Sequence, residues 1–415
     1  MNKSVAHFQP VLLGSDFNVY GMARSFHEAY QIKSISLCSI QLAPIKYSKI
    51  IDVHILPNLD QENQFVQLLT SFYKKNCTNN CTYLLIPCGD AYAKLLSKFQ
   101  DELKEMYHFS TIHFATYEKL ENKATFYEVC QQFNIPYPTT VEITRNQLSS
   151  YQESIQHLPF SFPVVLKPSD SISYLPLQFE EKKKAYIIED SDTLLHIIQK
   201  IYHAGYKESI LIQDFIPGSD ANMRVLNAYV DQEHQVRMMF LGNPILEDPS
   251  PANIGNYVAI LPDFQPAIFE NIQRLLTSIN YTGFANFDLK FDHRDQQFKL
   301  FEINLRQGRS SFFVTLNGYN LAKYLVDDLI LKVPFQQTEL GEGNKLWLGA
   351  PRQVILRYLS DNSLKTRVKQ YISHHQYGTT SFYKKDISIR HFLLQCYTFF
   401  RYRIKFRKNF KRKID

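Results

Sequence analysis

The chain has 415 residues, of which 45% are hydrophobic and 21% charged, so we expect a globular protein with two or three domains. It contains no run of about eighteen apolar residues and no basic N-terminal segment before an apolar core, so we expect neither a transmembrane helix nor a secretory signal. The net charge of +6 comes from residues 401–415, which hold eight basic residues and one acid, whereas the other 400 residues sum to −1.

Two apolar segments in the first hundred residues predict a parallel sheet. Residues 11–13 and 83–87 are each followed closely by a glycine and then by a helical pattern. Strands that alternate with helices are typical of a parallel sheet with helices on its faces. Asp16 and Asp90 follow these strands, at the sheet edge where ligands gather. Each aspartate either contacts a ligand or caps the helix that begins there.

Two lysines stand at the ends of predicted elements. Lys123 precedes a helix predicted over residues 124–133, and a cation at a helix N-terminus opposes the helix dipole. Lys167 ends the apolar strand predicted at residues 162–166. From the residues alone, Lys123 is a surface lysine with free rotamers, and Lys167 is a long side chain that reaches water from the end of a strand. Further along, residues 210–216 predict a buried strand followed by a turn.

Residues 284–304 predict a hairpin that carries a metal site. Alternation places Asn286, Asp288 and Lys290 on one face of the first strand. A five-residue loop at 293–297 would set Asp288 opposite Glu302, two residues before Asn304. Facing carboxylates repel each other unless a cation lies between them, and these oxygen ligands suit Mg²⁺. The alternative is a solvated hairpin face.

Two arginines follow the hairpin, and a basic tail ends the chain. Arg306 and Arg309 flank Gly308, and their planar guanidinium groups suit phosphate or carboxylate. In residues 392–413 aromatic and basic residues alternate, which suits an anionic membrane surface at about 1 kcal/mol per basic residue. The same pattern also suits nucleic acid or an anionic substrate, or it is a solvated helix end.

The hairpin carries a family resemblance. Asp288 with the segment Glu302-Ile303-Asn304 resembles the metal signature of the ATP-grasp ligases, which join a carboxylate to an amine through an acyl phosphate. Residues 301–323 and 11–24 are similar to the D-aspartate ligases of Gram-positive bacteria, and the resemblance spans about residues 10–385.

The resemblance implies the fold and the domains. It implies an α/β protein, α+β in its ligase domains, with an ATP-grasp fold behind an N-terminal Rossmann-like pre-ATP-grasp domain. The expected units are an N-terminal domain at 1–115, a small lid subdomain at 116–214, a central subdomain with the metal site at 215–334 and a C-terminal extension at 335–415.

The resemblance also assigns roles to individual residues. Residues 210–220 resemble the hinge that holds adenine in this family, and residues 168–174 form a loop with serines where the family has glycine. Nucleotide contacts would come from this hinge, from the loop and from the two lysines: Lys123, Lys167, Ser169, Gln213, Asp214, Ile216 and Asp220. Magnesium would be held by Asp288, Glu302 and Asn304. The catalytic cations would be Arg306, Arg309 and Lys290, since Asn286 stands where some ligases have arginine.

The implied reaction uses ATP and Mg²⁺. It would activate the β-carboxylate of D-aspartate and join it to the lysine amine of a UDP-linked muramyl pentapeptide, a step in peptidoglycan cross-bridge formation in the cytoplasm. A homodimer, and peripheral contact of the tail with an anionic membrane, are further expectations, and nucleic acid is not expected as a partner. The alternatives are a ligase for another amino acid or peptide acceptor, and a non-catalytic nucleotide-binding scaffold.

Overall fold

The computed structural model describes residues 7–78, 80–145, 155–250, 253, 255–386 and 388–410. Its first sheet has four parallel strands in the order β3-β2-β1-β4, formed by β1 (Phe8–Leu13), β2 (Ser34–Cys38), β3 (Ile51–Ile55) and β4 (Thr82–Pro87). The helices of this region are α1 (Phe17–Tyr30), α2 (Glu62–Asn76), α3 (Asp90–Lys98) and α4 (Gln100–Leu103).

The first sheet is buried on both faces around β1 and β4, because these two strands are largely apolar. Val11 and Leu13 share a core with Phe65 of α2, whereas Leu12, which points the other way, shares a core with Val19 of α1. The predicted parallel sheet with helices on its faces is therefore confirmed.

The second sheet is smaller and antiparallel. After α5 (Phe114–Glu121) and α6 (Lys123–Gln132), its strands follow the order β5-β8-β6-β7, formed by β5 (Thr140–Ile143), β6 (Val164–Pro168), β7 (Tyr186–Ile188) and β8 (Ile210–Asp214). Its helices are α7 (Ser171–Tyr174) and α8 (Ser191–His203). Asp190 caps α8 by accepting a hydrogen bond from the Thr193 amide, and Leu194 and Ile198 then recur at helical spacing in the core.

The third sheet is the largest and holds the predicted hairpin at one edge. Its strands follow the order β13-β12-β9-β10-β11-β15-β16, and β14 also pairs with β10. They are β9 (Met223–Val230), β10 (Val236–Glu247), β11 (Tyr257–Asp263), β12 (Gly283–Asp292), β13 (Gln297–Asn304), β14 (Glu339–Gly341), β15 (Leu346–Leu348) and β16 (Tyr377–Gly378). The central strands are buried along almost their whole length, which fits their apolar sequences.

The remaining helices flank the third sheet and end the described chain. They are α9 (Pro266–Ser278), α10 (Phe312–Leu316), α11 (Leu321–Leu329), α12 (Arg352–Tyr358), α13 (Asn362–Ser373), α14 (Ile389–Phe400) and α15 (Tyr402–Asn409). In the described part of the chain, no helix combines the length and apolar character needed to cross a membrane. The four-domain division stays a prediction; strands β14, β15 and β16 of the expected extension hydrogen-bond within the third sheet.

Candidate active site

The β12–β13 hairpin sets Asp288 opposite Glu302, as predicted, but by a different route. The loop has four residues, because Asp292 pairs with Gln297 rather than with Phe298. A β-bulge between Asp288 and Leu289 makes up the missing residue. A bulge places two residues of one strand opposite one of its partner, and it often re-aims a side chain beside a site. The two departures cancel, so the predicted register is confirmed at the carboxylates.

A cavity of about 430 Å³ opens against this end of the hairpin. Seven of the predicted site residues line it: Lys123, Lys167, Asp288, Glu302, Asn304, Arg306 and Arg309. The other six lie outside its lining: Ser169, Gln213, Asp214, Ile216, Asp220 and Lys290. The residues assigned to metal and phosphate therefore line one cavity, whereas the residues assigned to the hinge do not line it.

The carboxylates of Asp288 and Glu302 repel each other, and neighbouring cations offset the repulsion for Glu302 but not fully for Asp288. Burial, and then the charge of Glu302, raise the pKa of Asp288, whose Oδ1 accepts a hydrogen bond from the Tyr257 hydroxyl at 2.8 Å. Burial also favours protonated Glu302, but three lysines outweigh it and hold its pKa below the ordinary value: Lys123, Lys184 and Lys167. The Lys123 Nζ lies 3.6 Å from Glu302 Oε2.

The donor set at this position fits a hard divalent cation. Asp288 and Glu302 supply carboxylate oxygens, and Asn304 supplies an amide oxygen, since its Nδ2 donates to Asn286 Oδ1 at 3.1 Å. A dication between the carboxylates would remove the repulsion that raises the pKa of Asp288. Gly308 allows the chain to pass closely, because a Cβ there would lie 2.8 Å from the Asn286 side chain.

Tyr127 links Lys167 of the cavity to the hinge. Its single hydroxyl proton is donated to the Phe301 carbonyl at 2.9 Å, so its oxygen accepts from Lys167 Nζ and Gln213 Nε2, each at 2.9 Å. This fixes the Gln213 amide with its nitrogen towards Tyr127 and towards Thr140 Oγ1. Among the described residues, the buried Gln213 Oε1 then has no donor. Burial lowers the pKa of Lys167 to about 8.

Arg306 is held by Asp90, the first residue of α3. Its Nη2 donates to Asp90 Oδ2 at 2.9 Å and its Nε lies 2.8 Å from Asp90 Oδ1. The two aspartates that follow first-sheet strands therefore differ: Asp90 lines the cavity, whereas Asp16 caps α1 by accepting from the Asn18 and Val19 amides. The capping interpretation is confirmed for Asp16, whereas a ligand contact at Asp90 stays a prediction.

The hinge residues make contacts that the sequence did not predict. Arg294, from the hairpin loop, donates to both carboxylate oxygens of Asp214, at 3.1 and 2.6 Å. Lys290, expected in the catalytic group, donates instead to the Ile216 carbonyl at 2.6 Å. Asp220 Oδ2 accepts from the Glu247 amide at 3.1 Å. The Ser169 side chain is buried, and its carbonyl accepts from the Lys123 amide at 3.3 Å.

Several residues of the site carry no sequence signal of their own. Tyr127, Tyr257 and Trp347 belong to a chain rich in aromatic residues, and Lys184 belongs to a run of three lysines. Their proximity to the hairpin depends on how the three sheets pack. Asp90 differs from them, since its place after a strand of the parallel sheet predicted that it lies where ligands gather.

Comparison with known proteins identifies the class. A comparison with models of protein families gives no match. Solved structures with the same fold include an L-amino acid ligase from Bacillus licheniformis, at 14% identity and a TM-score of 0.56 over 79% of this chain and 75% of that one. They also include the biotin carboxylase domain of the Hydrogenobacter thermophilus 2-oxoglutarate carboxylase, at 13% identity and a TM-score of 0.60 over 82% and 73%. The fold is the ATP-grasp fold, as predicted.

One relative is much closer in sequence. A D-aspartate ligase from Enterococcus faecium (strain Aus0004) is 50% identical over 408 residues, which are 97% of each chain. The protein therefore belongs to the D-aspartate ligase family, and it is an enzyme that forms carbon–nitrogen bonds. The scaffold alternative is thereby excluded.

Proposed function

We propose that the protein uses ATP to activate the β-carboxylate of D-aspartate and joins it to the lysine ε-amine of a UDP-linked muramyl pentapeptide. The observation that carries this proposal is the cavity, which gathers Lys123, Lys167, Arg306 and Arg309 around the carboxylates of the hairpin. Transfer of a phosphoryl group needs positioning and charge neutralisation more than it needs a nucleophilic side chain. The 50% identical relative is named a D-aspartate ligase, which supports the amino acid.

We assign Mg²⁺ to the oxygen donors of Asp288, Glu302 and Asn304. Bound there, the ion would neutralise negative charge on the phosphates of ATP. The Hydrogenobacter structure holds MgADP, which supports both the nucleotide and the metal for this fold.

ATP is proposed to lie between the cavity and the hinge. Lys123 and Lys167 would contact its phosphates, with Ser169 in the loop beside them. At the hinge, the buried Gln213 Oε1 suits the amino group of adenine, an N–H donor. Backbone groups of the hinge and one carboxylate would hold the rest of the nucleoside: Asp214, Ile216 and Asp220.

The chemistry has two steps. The aspartate β-carboxylate attacks the γ-phosphorus, ADP leaves, and an acyl phosphate forms. The acceptor amine then attacks the acyl carbon, an amide bond forms, the bond to phosphate breaks, and the amine gives up a proton. We assign Arg306 to the transferred phosphate and Arg309 to an aspartate carboxylate, because guanidinium binds both in a fork. Lys290 is assigned to support the hinge through the Ile216 carbonyl.

The test is phosphate release from ATP and Mg²⁺, with D-aspartate, L-aspartate or D-alanine, each with and without UDP-linked pentapeptide. We expect release that depends on D-aspartate and on acceptor, with a product heavier by one aspartyl residue in mass spectrometry. Release with another amino acid, or with an acceptor other than the UDP-linked peptide, would replace the proposed substrates.

We further propose that the C-terminal helices touch an anionic membrane at its cytoplasmic side. A row of apolar side chains on α14 and α15 is exposed at helical spacing: Ile389, Leu393, Tyr397, Phe400 and Ile404. Exposed basic residues accompany the row: Arg390, Arg403, Arg407 and Lys408. Apolar anchoring with basic flanks is how interfacial helices bind anionic lipid. Residues 411–415 of the predicted tail lie outside the described residues.

Sedimentation with vesicles of anionic lipid tests this surface. The double change Leu393→Ser and Ile404→Ser should reduce the bound fraction, whereas Ile187→Ser, at an exposed position of β7, should not. Equal binding of all three proteins would exclude the surface. A homodimer stays a prediction, which light scattering would test.

A further inference from the structure

A second cavity, of about 210 Å³, lies beside the first. The two cavities share three lining residues, Tyr257, Arg309 and Trp347. The rest of the second wall comes from the N-terminal domain and from the C-terminal helices, including Phe17, Pro44, Gln395, Arg401, Tyr402 and Lys405. Arg401, Tyr402 and Lys405 therefore help to enclose a space that opens beside the first cavity.

The second cavity is positively charged. Its lining contains Arg309, Arg401 and Lys405 and no carboxylate. Lys405 is paired, since its Nζ lies 3.1 Å from Oδ2 of the buried Asp248. Arg309 and Arg401 lie over the rings of Phe17 and Tyr397, at 5.6 and 5.5 Å. Within the described residues neither arginine has a carboxylate within 4.0 Å. Because Arg309 is assigned to an aspartate carboxylate, the guanidinium group of Arg401 is the one available to a further anion.

The wall of this cavity is fixed in place rather than carried on a loose tail. Phe406 of α15 is fully buried, and its ring lies 5.0 Å from that of Tyr358. Gln395 of α14 is buried as well and donates to the Pro44 carbonyl at 3.1 Å. Arg401, between these two helices, keeps helical dihedral angles. Its position at the cavity is thus set by packing on both sides.

We infer that the second cavity binds an anionic group, carboxylate or phosphate, of the amine acceptor. This inference rests on the proposed function. Lys123, Lys167 and Lys184, the cations nearest the proposed phosphates, line only the first cavity. The activated amino acid must also lie in the first cavity, because its carboxylate meets the γ-phosphate there. The acceptor is the substrate left for the second cavity, and its amine would enter the first cavity beside Tyr257 and Trp347.

The experiment compares Arg401→Gln with Arg403→Gln in the full-length enzyme. Both remove one charge from an exposed position of the same helical segment, but Arg403 lies over Phe400, 5.1 Å from its ring, and outside the cavity. We expect Arg401→Gln to raise KM for the acceptor about tenfold, with KM for ATP and D-aspartate unchanged. Arg403→Gln should leave all three values unchanged, and Arg401→Lys should recover part of the loss.

Acceptors of different chemistry identify the anion. If the difference between wild type and Arg401→Gln disappears with a peptide that lacks the nucleotide, the diphosphate is the bound group. If it persists with that peptide but disappears when the peptide carboxylate is amidated, the carboxylate is bound. Either result supports the inference.

Other outcomes overturn it. If Arg401→Gln raises KM for D-aspartate alone, the second cavity binds the amino acid and not the acceptor. Equal effects of Arg401→Gln and Arg403→Gln would show that the net charge of the C-terminal helices, and not the cavity, affects KM for the acceptor. No effect of Arg401→Gln would show that the cavity does not bind the acceptor. Wild-type enzyme that turns over no acceptor at all would show instead that the proposed function is wrong.

Discussion

Each end of the β12–β13 hairpin carries an aspartate of β12 beside other charged residues. The pKa of this aspartate is shifted in opposite directions at the two ends. At one end, burial and Glu302 raise the pKa of Asp288. At the other, hydrogen bonds from Arg294 and Lys299 hold the pKa of Asp292 well below its usual range. Asp292 is fully buried, yet its neighbours satisfy it.

This contrast separates a site from a support. Removing a buried carboxylate that the protein itself pairs costs stability, whereas a carboxylate left facing another one needs a bound cation to remain ionised at little cost. We therefore expect substitutions at the first end to reduce activity and substitutions at the loop end to reduce stability.

The largest effect is expected for Glu302→Gln. It keeps the shape of the side chain but removes the charge that three lysines surround, so the rate of phosphate release should fall about 10²-fold or more. The free energy of unfolding should change by no more than about 1 kcal/mol, because the repulsion with Asp288 is lost as well. Steady-state kinetics and urea unfolding measure both. Glu233→Gln, an exposed control, should match wild type.

An intermediate effect is expected for Tyr127→Phe. The Tyr127 hydroxyl connects Lys167 of the cavity to Gln213 of the hinge. The change removes the acceptor of Lys167 and Gln213, so KM for ATP should rise about tenfold while kcat changes less. Tyr137→Phe is the matched control, since its ring stacks on Tyr127 at 5.2 Å. If both variants raise KM equally, the hydrogen bonds of the Tyr127 hydroxyl to Lys167 and Gln213 are not the cause.

The loop end gives a pH-dependent prediction. Because the folded-state pKa of Asp292 lies below its ordinary value of 3.8, its ion pairs stabilise the fold above that pH and lose their contribution as pH falls. Asp292→Asn should lower the free energy of unfolding by about 2 kcal/mol at pH 7, a moderate figure because Arg294 is half exposed. Denaturant unfolding should show the difference shrinking below about pH 4.

The smallest effect is expected for Asp295→Asn, the control for the loop end. Asp295 also pairs with Lys299, at 2.8 Å, but it is 41% exposed, so the loss in free energy of unfolding should stay below about 0.5 kcal/mol.

The loop end should matter little for activity, so phosphate release by Asp292→Asn should stay within about twofold of wild type. A large loss of rate in this variant, or a stability difference that persists at low pH, would contradict the separation of the two ends.

The sequence alone determined the local part of the site. Alternation along two strands and a short loop decide which residues of a hairpin face each other, so Asp288, Glu302 and Asn304 could be found from spacing. Even here the loop of four and the bulge beside Asp288 were not foreseen; the register was right because the two departures cancel.

Only the tertiary structure decided which distant residues complete the site. Asp90 meets Arg306, Tyr127 meets Lys167, and Arg401 reaches the cavity wall across gaps that no periodicity reports. Strand and helix patterns fix which side chains share a face over a few residues, because the repeat of each element is local. The packing of one sheet on another depends instead on the summed burial of many side chains, and that sum decided where the basic end of this chain lies.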